Sequence, residues 1–233
     1  MLFGKRVDED ATVVAMLAAA LRRDISFGTW APDQKLKIEA LRARYGGSAH
    51  SMRETLRLLS AEGLVEATSQ RGFRVTSATE ADLQDILLMR LQVEKLGLER
   101  SIARTTVTWE SRVIAALHQL SRAEASVQAD PSDQTALDWD EACRALSAVL
   151  VENAGSDRLM GLQRTFYNQS RRFRLARLRE GGLCFADRAA RRADLQAAIL
   201  AHDTAAALAA LEDDIRADLA PAGQPHPHIS KTT

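Results

Sequence analysis

Leu36–Val75, LKIEALRARYGGSAHSMRETLRLLSAEGLVEATSQRGFRV, decides how the whole chain is read. Its spacing predicts a helix, a tight turn, a second helix and a short basic hairpin. Leu36, Ile38 and Leu41 face inward from the first helix. Tyr45-Gly46-Gly47 breaks that helix, and Ser48 is placed as an N-cap whose hydroxyl accepts an orphaned amide hydrogen. In the second helix Met52, Leu56 and Leu59 recur at helical spacing and face a core. His50, Ser51, Arg53 and Arg57 are then left on the opposite side. Val65–Val75 alternates as two strands around Gln70-Arg71-Gly72. Two helices across a tight turn, the second with a polar and basic face, are how a helix is presented to the DNA major groove.

Charge supports that reading locally rather than globally. The 233 residues carry 31 basic and 31 acidic side chains, so the whole molecule has no general attraction to nucleic acid. Up to Thr76 the balance is roughly 12 basic to 9 acidic, and beyond it roughly 19 to 22. The excess is small. The cluster Lys35, Lys37, Arg42, Arg44, Arg53, Arg57, Arg71 and Arg74 matters more than the sum, because phosphate contact needs cations concentrated on one face.

The two cysteines, Cys143 and Cys184, lie far apart, which argues for a reducing compartment and against a disulfide framework. Met1–Arg6 has no signal-peptide layout. The longest apolar run, Val13–Leu21, is too short to span a bilayer. A soluble, cytoplasmic protein is expected.

Between Phe73 and Asn153 Gly and Pro almost vanish while Ala, Leu, Glu and Arg dominate, the composition of a helical bundle. Ser77-Ala-Thr-Glu80 has the pattern of a capping box at the start of a helix carrying Leu83, Leu87, Leu91 and Leu98 and ending near Ala103. A second bundle helix contains Val113, Ala116, Leu117 and Leu120. Asp130-Pro131-Ser132 turns into a third with Leu137, Leu146, Val149 and Leu150. Gly155-Ser156 ends that helix and caps a fourth, which holds Leu159, Leu162, Phe166, Phe173 and Leu178. Glu180-Gly181-Gly182 is a further break. Two last helices, about 188–201 and 204–219, are separated by His202-Asp203. From Pro221 the tail has no hydrophobic period and is expected to be disordered; its His226 and His228 are a weak compositional hint of metal binding. The organisation expected is mainly α: a winged helix-turn-helix over 1–76, an antiparallel bundle of six or seven helices over 77–220, and a tail over 221–233.

The Leu36–Val75 stretch resembles the winged helix-turn-helix of GntR-type bacterial transcription regulators. The matching residues are Tyr45-Gly46, Ser48, Arg53-Glu54, Leu56, Glu62-Gly63-Leu64-Val65 and Arg71-Gly72, in the family's order and without gaps. Ala49 stands where the family usually has Arg, and Ser51 where it usually has Pro. The helical remainder resembles the FCD subclass of that family at Arg90-x-x-x-Glu94, Tyr167-x-Gln169-Ser170-x-Arg172 and Asp203-x-x-x-Ala207. Trp139 and Asn153-Ala-Gly-Ser156 set the register of the third helix.

The resemblance implies a dimeric regulator, usually a repressor, whose affinity for double-stranded operator DNA changes on binding a small metabolite. Phosphate contacts are expected from Lys37, Arg42, Arg44, Arg57 and the wing at Arg71-Gly72, with base-edge contacts from His50, Ser51 and Arg53 beside the cap Ser48. Arg53 could instead hold a phosphate, and Arg57 could be solvated surface.

Many FCD proteins hold a divalent metal in the bundle. Carried over position by position, its ligand sites fall on Cys143, Ser147, Arg192 and Asp214. A guanidinium cannot ligate a metal and repels one, so no metal or other cofactor is expected. The implied effector is then a carboxylate-bearing anion held by Arg172 and Arg192, with Ser147 adding a neutral hydrogen bond and Arg90 and Cys143 nearby. Asp214 could orient Arg192 by pairing with it; an Arg192 so neutralised would favour a neutral or hydrophobic ligand instead, and the pair could equally be an ion pair closing an empty site. Plainer readings stand beside these: Arg172 as a surface arginine, Arg90 as an i,i+4 partner of Glu94, and Cys143 as a small buried apolar residue.

Two other classes of function remain at this level. A helical-bundle metalloenzyme lacks support, because the chain has no clustered Cys/His set, Gly-rich phosphate loop or nucleophile motif. A sensor or interaction protein with a worn winged helix is suggested by Ala49 and Ser51.

Overall fold

A computed structural model describes residues 4–68 and 72–219, with side chains described from Thr12 onward. Arg71, Gln70, the expected disordered tail at 221–233 and its two histidines lie outside the described residues.

The chain opens with α1, Gly4–Ser26, a helix absent from the expectations above, where Val13–Leu21 was weighed only as a membrane span. Leu17, Ala18, Leu21 and Ile25 are buried along it at a spacing that makes one helix face. That face packs with Leu41, Met52, Leu56 and Leu59 of α2 (Ile38–Tyr45) and α3 (Ala49–Ala61) in a core that also takes in Leu64, Val65 and Val75. The helix is needed because two short helices and a hairpin have too little apolar surface to close a core alone.

Leu36 is buried, as expected, but on a strand. β1, Lys35–Leu36, pairs antiparallel with β3, Gly72–Val75, which also pairs with β2, Val65–Thr68. The sheet therefore has three strands in the order β1-β3-β2 rather than the two of a lone hairpin. Edge pairing of Lys35 with Arg74 and Leu36 with Phe73 keeps Lys37 extended, so α2 starts only at Ile38. Gly46 and Gly47 both take φ +77°, a left-handed conformation that supplies the sharp turn into α3.

Among the described residues six α-helices follow: α4 Glu80–Ile102, α5 Val107–Ala129, α6 Asp133–Val151, α7 Asp157–Arg179, α8 Phe185–Leu200 and α9 Thr204–Leu219. A single 3-10 turn, Glu152–Ala154, and left-handed Gly155 separate α6 from α7. The box at the head of α4 sits two residues later than Ser77–Glu80 suggested. Thr79 is the N-cap and Asp82 returns the bond, while the Ser77 hydroxyl also donates to Asp82. These donors hold the Asp82 carboxyl down at about 2. Ser156 caps α7 as expected, and Ser132, expected only as part of a turn, is the N-cap of α6.

Trp109, Trp139, Leu98, Leu120 and Leu175 fill the bundle core. Leu162, expected inside, is 49% exposed, because it lies on the outward face of α7 with Arg158 and Gly161. Among the described residues no helix is long and apolar enough to cross a membrane.

Candidate nucleic-acid interface and bundle cavity

α3 carries the polar stripe expected from the sequence to face the groove. His50, Arg53 and Arg57 are exposed at i, i+3 and i+7, while Met52, Leu56 and Leu59 anchor the other side. Neither His50 nor Arg53 has a hydrogen-bond or ion-pair partner among the described residues, so both donor sets are available to an incoming base or phosphate. Arg57 pairs with Glu54 one turn back, an exposed pair of little energetic weight.

Ser51 does not belong to that stripe. It is 4% exposed, and its Oγ accepts from the Ser48 amide at 2.9 Å while its own amide donates to Ser48 Oγ at 3.0 Å. The two serines close a reciprocal cap over the start of α3. At this position, where the resemblance leads one to expect Pro, this chain uses a second serine to hold the helix end. Ser51 is therefore a cap partner rather than a base contact, because its hydroxyl is already engaged and buried.

Two of the expected phosphate contacts also have internal work. Arg44 pairs with Asp24 on α1 at 2.8 Å, and the same carboxylate accepts from the Tyr45 hydroxyl at 2.5 Å. Trp30 Nε1 donates to that hydroxyl at 2.7 Å, so the group braces α2 against α1. Arg42 donates from Nε to the Gly47 carbonyl at 3.3 Å and ties α2 to the turn. Both heads remain exposed. Lys37 is exposed at the entrance to α2, and Gly72 opens β3 at the wing. On the sheet, Arg74 is neutralised by Glu66 and approached by Asp33 at 3.9 Å.

The bundle encloses a cavity of about 30 Å³. Arg90 and Glu94 of α4, Cys143 and Ser147 of α6, Tyr167 and Arg174 of α7, Arg188 of α8 and Asp214 and Asp218 of α9 line it. Arg90 donates to Glu94 at 2.5 Å and 3.2 Å, Ser147 Oγ donates to Glu94 at 2.7 Å, and Gln163 donates to Ser147 at 2.7 Å. Arg174 pairs with Asp140 at 2.7 Å, and Arg171 holds the other oxygen of that carboxylate at 2.7 Å. Arg90 and Arg174 both donate to Ser170 Oγ, and the Tyr167 ring lies 4.7 Å and 3.9 Å from their guanidinium carbons. Arg188 donates to Glu124 at 2.9 Å, pairs with Asp218, and lies 5.2 Å from the Trp139 ring.

Two titratable groups of the lining are uncharged. Burial pushes the Cys143 thiol up to about 11, despite Arg188 and Arg174, so it is neutral at physiological pH. Burial likewise lifts the Tyr167 phenol well above its ordinary value. Its hydroxyl is buried and has no hydrogen-bond partner among the described residues, an open donor beside the cavity. Among the described residues no group of three or more His, Cys, Asp or Glu side chains is placed to hold a metal ion.

Against known proteins, a family model described as bacterial regulatory proteins, gntR family, matches residues 14–75. The HTH-type transcriptional repressor GlaR of Escherichia coli K12 is 35% identical over 190 residues, covering 80% of this chain and 85% of that protein. The chain belongs to the GntR family. The HTH-type transcriptional regulator BphR of Paraburkholderia xenovorans LB400 is 33% identical over 154 residues, 66% of this chain and 62% of that one. Escherichia coli McbR/YncC superposes with a TM-score of 0.69 at 16% identity, over 89% of this chain and 95% of that one. A putative GntR regulator from Rhodococcus sp. RHA1 reaches 0.67 at 22%, with the same coverage. At such identities these structures share the fold, a winged helix followed by a helical bundle. As a GntR-family protein this chain is a DNA-binding transcription regulator and not an enzyme.

The positions carried over for the effector divide in this GntR bundle. Arg90, Cys143, Ser147 and Asp214 line the cavity; Arg172 and Arg192 do not. Arg172 points to the segment joining the two hydrophobic cores and donates to the Thr76 and Ser77 carbonyls. The expected Arg192–Asp214 pair is replaced by Arg192–Glu124 and Arg191–Asp214, because α5 places Glu124 beside α8. One turn before Arg192, Arg188 is the guanidinium that reaches the cavity. Arg90 keeps its i,i+4 bond to Glu94 and faces the cavity as well.

Arg188, Arg174, Glu124 and Asp140 were not anticipated. Their partners lie 64 and 34 residues away in sequence, a separation no helical period can reveal. The available signal was indirect: long cations at helix positions that otherwise fall on the apolar face.

Proposed function

We propose that this regulator is a cytoplasmic repressor, active as a homodimer, whose operator affinity is changed by a small carboxylate-bearing metabolite taken up in the bundle. Residues 1–76 read the DNA and residues 77–220, an FCD-type bundle, bind the effector and the second subunit. The observation carrying the effector reading is the convergence of three buried guanidiniums, Arg90, Arg174 and Arg188, on one cavity with the open Tyr167 hydroxyl. Guanidinium and phenol together offer directional donors to an anion without a metal. Glu94, Asp214 and Asp218 balance that charge, so an incoming carboxylate must displace one of them. Arg188–Asp218 is the pair to exchange, since Arg188 keeps Glu124 as a second carboxylate partner when Asp218 is displaced. A volume near 30 Å³ has room for about one or two waters, so binding also spreads the helices.

DNA reading rests on His50 and Arg53 at base edges, with Lys37, Arg42, Arg44, Arg57 and the Arg71-Gly72 wing on phosphates. Dimerisation is supported by a hollow of about 740 Å³ between α4, α7 and α9, where Leu88, Leu96 and Leu162 are 53%, 49% and 49% exposed. A twofold operator needs two recognition helices at a fixed separation. The repressor reading leans on the name of the GlaR relative.

The test is a thermal-shift screen of small carboxylates, followed by calorimetry on Arg188→Ala and Arg172→Ala and by gel shift on the upstream DNA of the protein's own operon. Binding lost in the first variant and kept in the second supports the cavity. Equal affinity in Arg188→Ala, or one tightly held metal per chain, defeats it.

A further inference from the structure

We infer that Arg172 is a positioning residue for DNA recognition: it sets the angle at which the winged region is held on the bundle. The inference rests on the DNA-binding role of the chain and is independent of what occupies the cavity.

Arg172 is partly buried. Its Nη1 donates to the Thr76 carbonyl at 2.5 Å, its Nη2 donates to the Ser77 carbonyl, and its guanidinium carbon lies 5.2 Å from the Phe173 ring. These two carbonyls sit where one core hands over to the other. Thr76 belongs to the winged side, with its amide donating to Leu64 O at 3.1 Å and its hydroxyl to Gly63 O at 3.2 Å. Ser77 belongs to the bundle side, with its hydroxyl on the Asp82 cap of α4. One guanidinium therefore clamps both sides of the junction. Its planar fork restrains direction as well as distance, which a flexible ammonium does not.

α7 grips the winged region at two further points. Gly63, just past the end of α3, has φ +75°, and a methyl built there collides with the Gln169 amide. Arg179 donates to the Phe27 carbonyl at 3.3 Å, beyond α1, and lies over the Phe27 ring. Gln169, Arg172 and Arg179 share one side of α7, while Tyr167, Ser170 and Arg174 share the other and face the buried cluster. The recognition helix is thus tied through Gly63-Leu64-Thr76 to a helix whose opposite face lines the cavity. A small tilt of α7 moves the Arg172 clamp and swings α3 over its DNA.

Orientation is read by pulsed electron–electron distance measurement between nitroxides on native Cys184 and on an Ala43→Cys substitution. Both sites are exposed and lie on opposite sides of the junction, whereas buried Cys143 stays unlabelled. Dilution with unlabelled protein removes distances between subunits. DNA binding is measured in parallel on a duplex selected from random sequence by the parent protein. Arg172→Ala should broaden or shift the distance distribution and weaken binding about tenfold, with unchanged salt dependence, since no phosphate contact is removed. Arg172→Lys, which reaches only one carbonyl at a time, should fall between. A parent-like distribution in Arg172→Ala, or a lower salt slope, overturns the assignment. If Arg172→Ala does not fold, Arg172→Lys and Gln169→Ala are read in the same two ways, and parent-like behaviour in both overturns it equally.

Discussion

Arg53 and Arg57 stand in solvent on α3, whereas Arg90, Arg174 and Arg188 are 4%, 1% and 1% exposed inside the bundle. The same side chain serves opposite ends in the two regions. On α3 the cations are held by the helix but keep unspent donors and hydration, so a phosphate or a base edge can displace water and gain. Inside the bundle each cation has been stripped of water and made good by a carboxylate, and by an aromatic face at Tyr167 or Trp139. The first arrangement favours binding a partner from outside. The second is costly to break, and any ligand it accepts must replace a carboxylate already there.

The largest effect that tests this contrast is expected at Asp140. Asp140→Ala leaves Arg171 and Arg174 facing each other without their shared carboxylate, and urea unfolding should show a loss of about 3–5 kcal/mol. A loss under about 1 kcal/mol would place the pair in contact with water and erase the difference between the regions. On the other side, Arg53→Ala should weaken specific DNA binding by about 1–3 kcal/mol while stability moves by no more than about 0.5 kcal/mol. Unchanged affinity and salt slope would remove Arg53 from the interface.

Ser51→Ala sharpens the boundary between groove face and core. Loss of the reciprocal cap should cost about 1 kcal/mol of stability. Discrimination between operator and a single-base variant should not change, since the Ser51 hydroxyl is buried in the cap. The smallest effect is at the cysteines. At pH 8 a thiol reagent should modify one thiol per chain, Cys184, and reach Cys143 only after denaturation. Burial stabilises the neutral Cys143 thiol in the folded state. Its contribution is therefore fully present below the ordinary value of 9.0 and is lost as pH rises toward about 11.

Much of the winged helix-turn-helix was legible because its signals are local. The Gly46-Gly47 turn, the Ser48 cap and the spacing of Met52, Leu56 and Leu59 each need only a few neighbouring residues. Ser51 escaped because a serine three residues after a serine fits a polar face and a reciprocal cap equally well. α1 escaped because nothing inside Val13–Leu21 says which helices its apolar face will meet. The lining of the bundle cavity was half legible. Arg90 and Ser147 could be placed from motifs on single helices, while Arg188 and Arg192 differ by one turn and only the neighbouring helix decides between them.

By itself the sequence determined the helix-turn-helix, its wing and the run of bundle helices, through turn residues, caps and hydrophobic periods acting within about a dozen residues. Tertiary structure alone decided which arginines are buried and what each is paired with. Glu124 meets Arg188 and Asp140 meets Arg174 only once α5, α6, α7 and α8 are packed together. It also decided that Arg172 turns away from the cavity toward Thr76 and Ser77. A guanidinium goes wherever packing leaves acceptors without water, and carbonyls nearly a hundred residues away leave no trace in the local pattern.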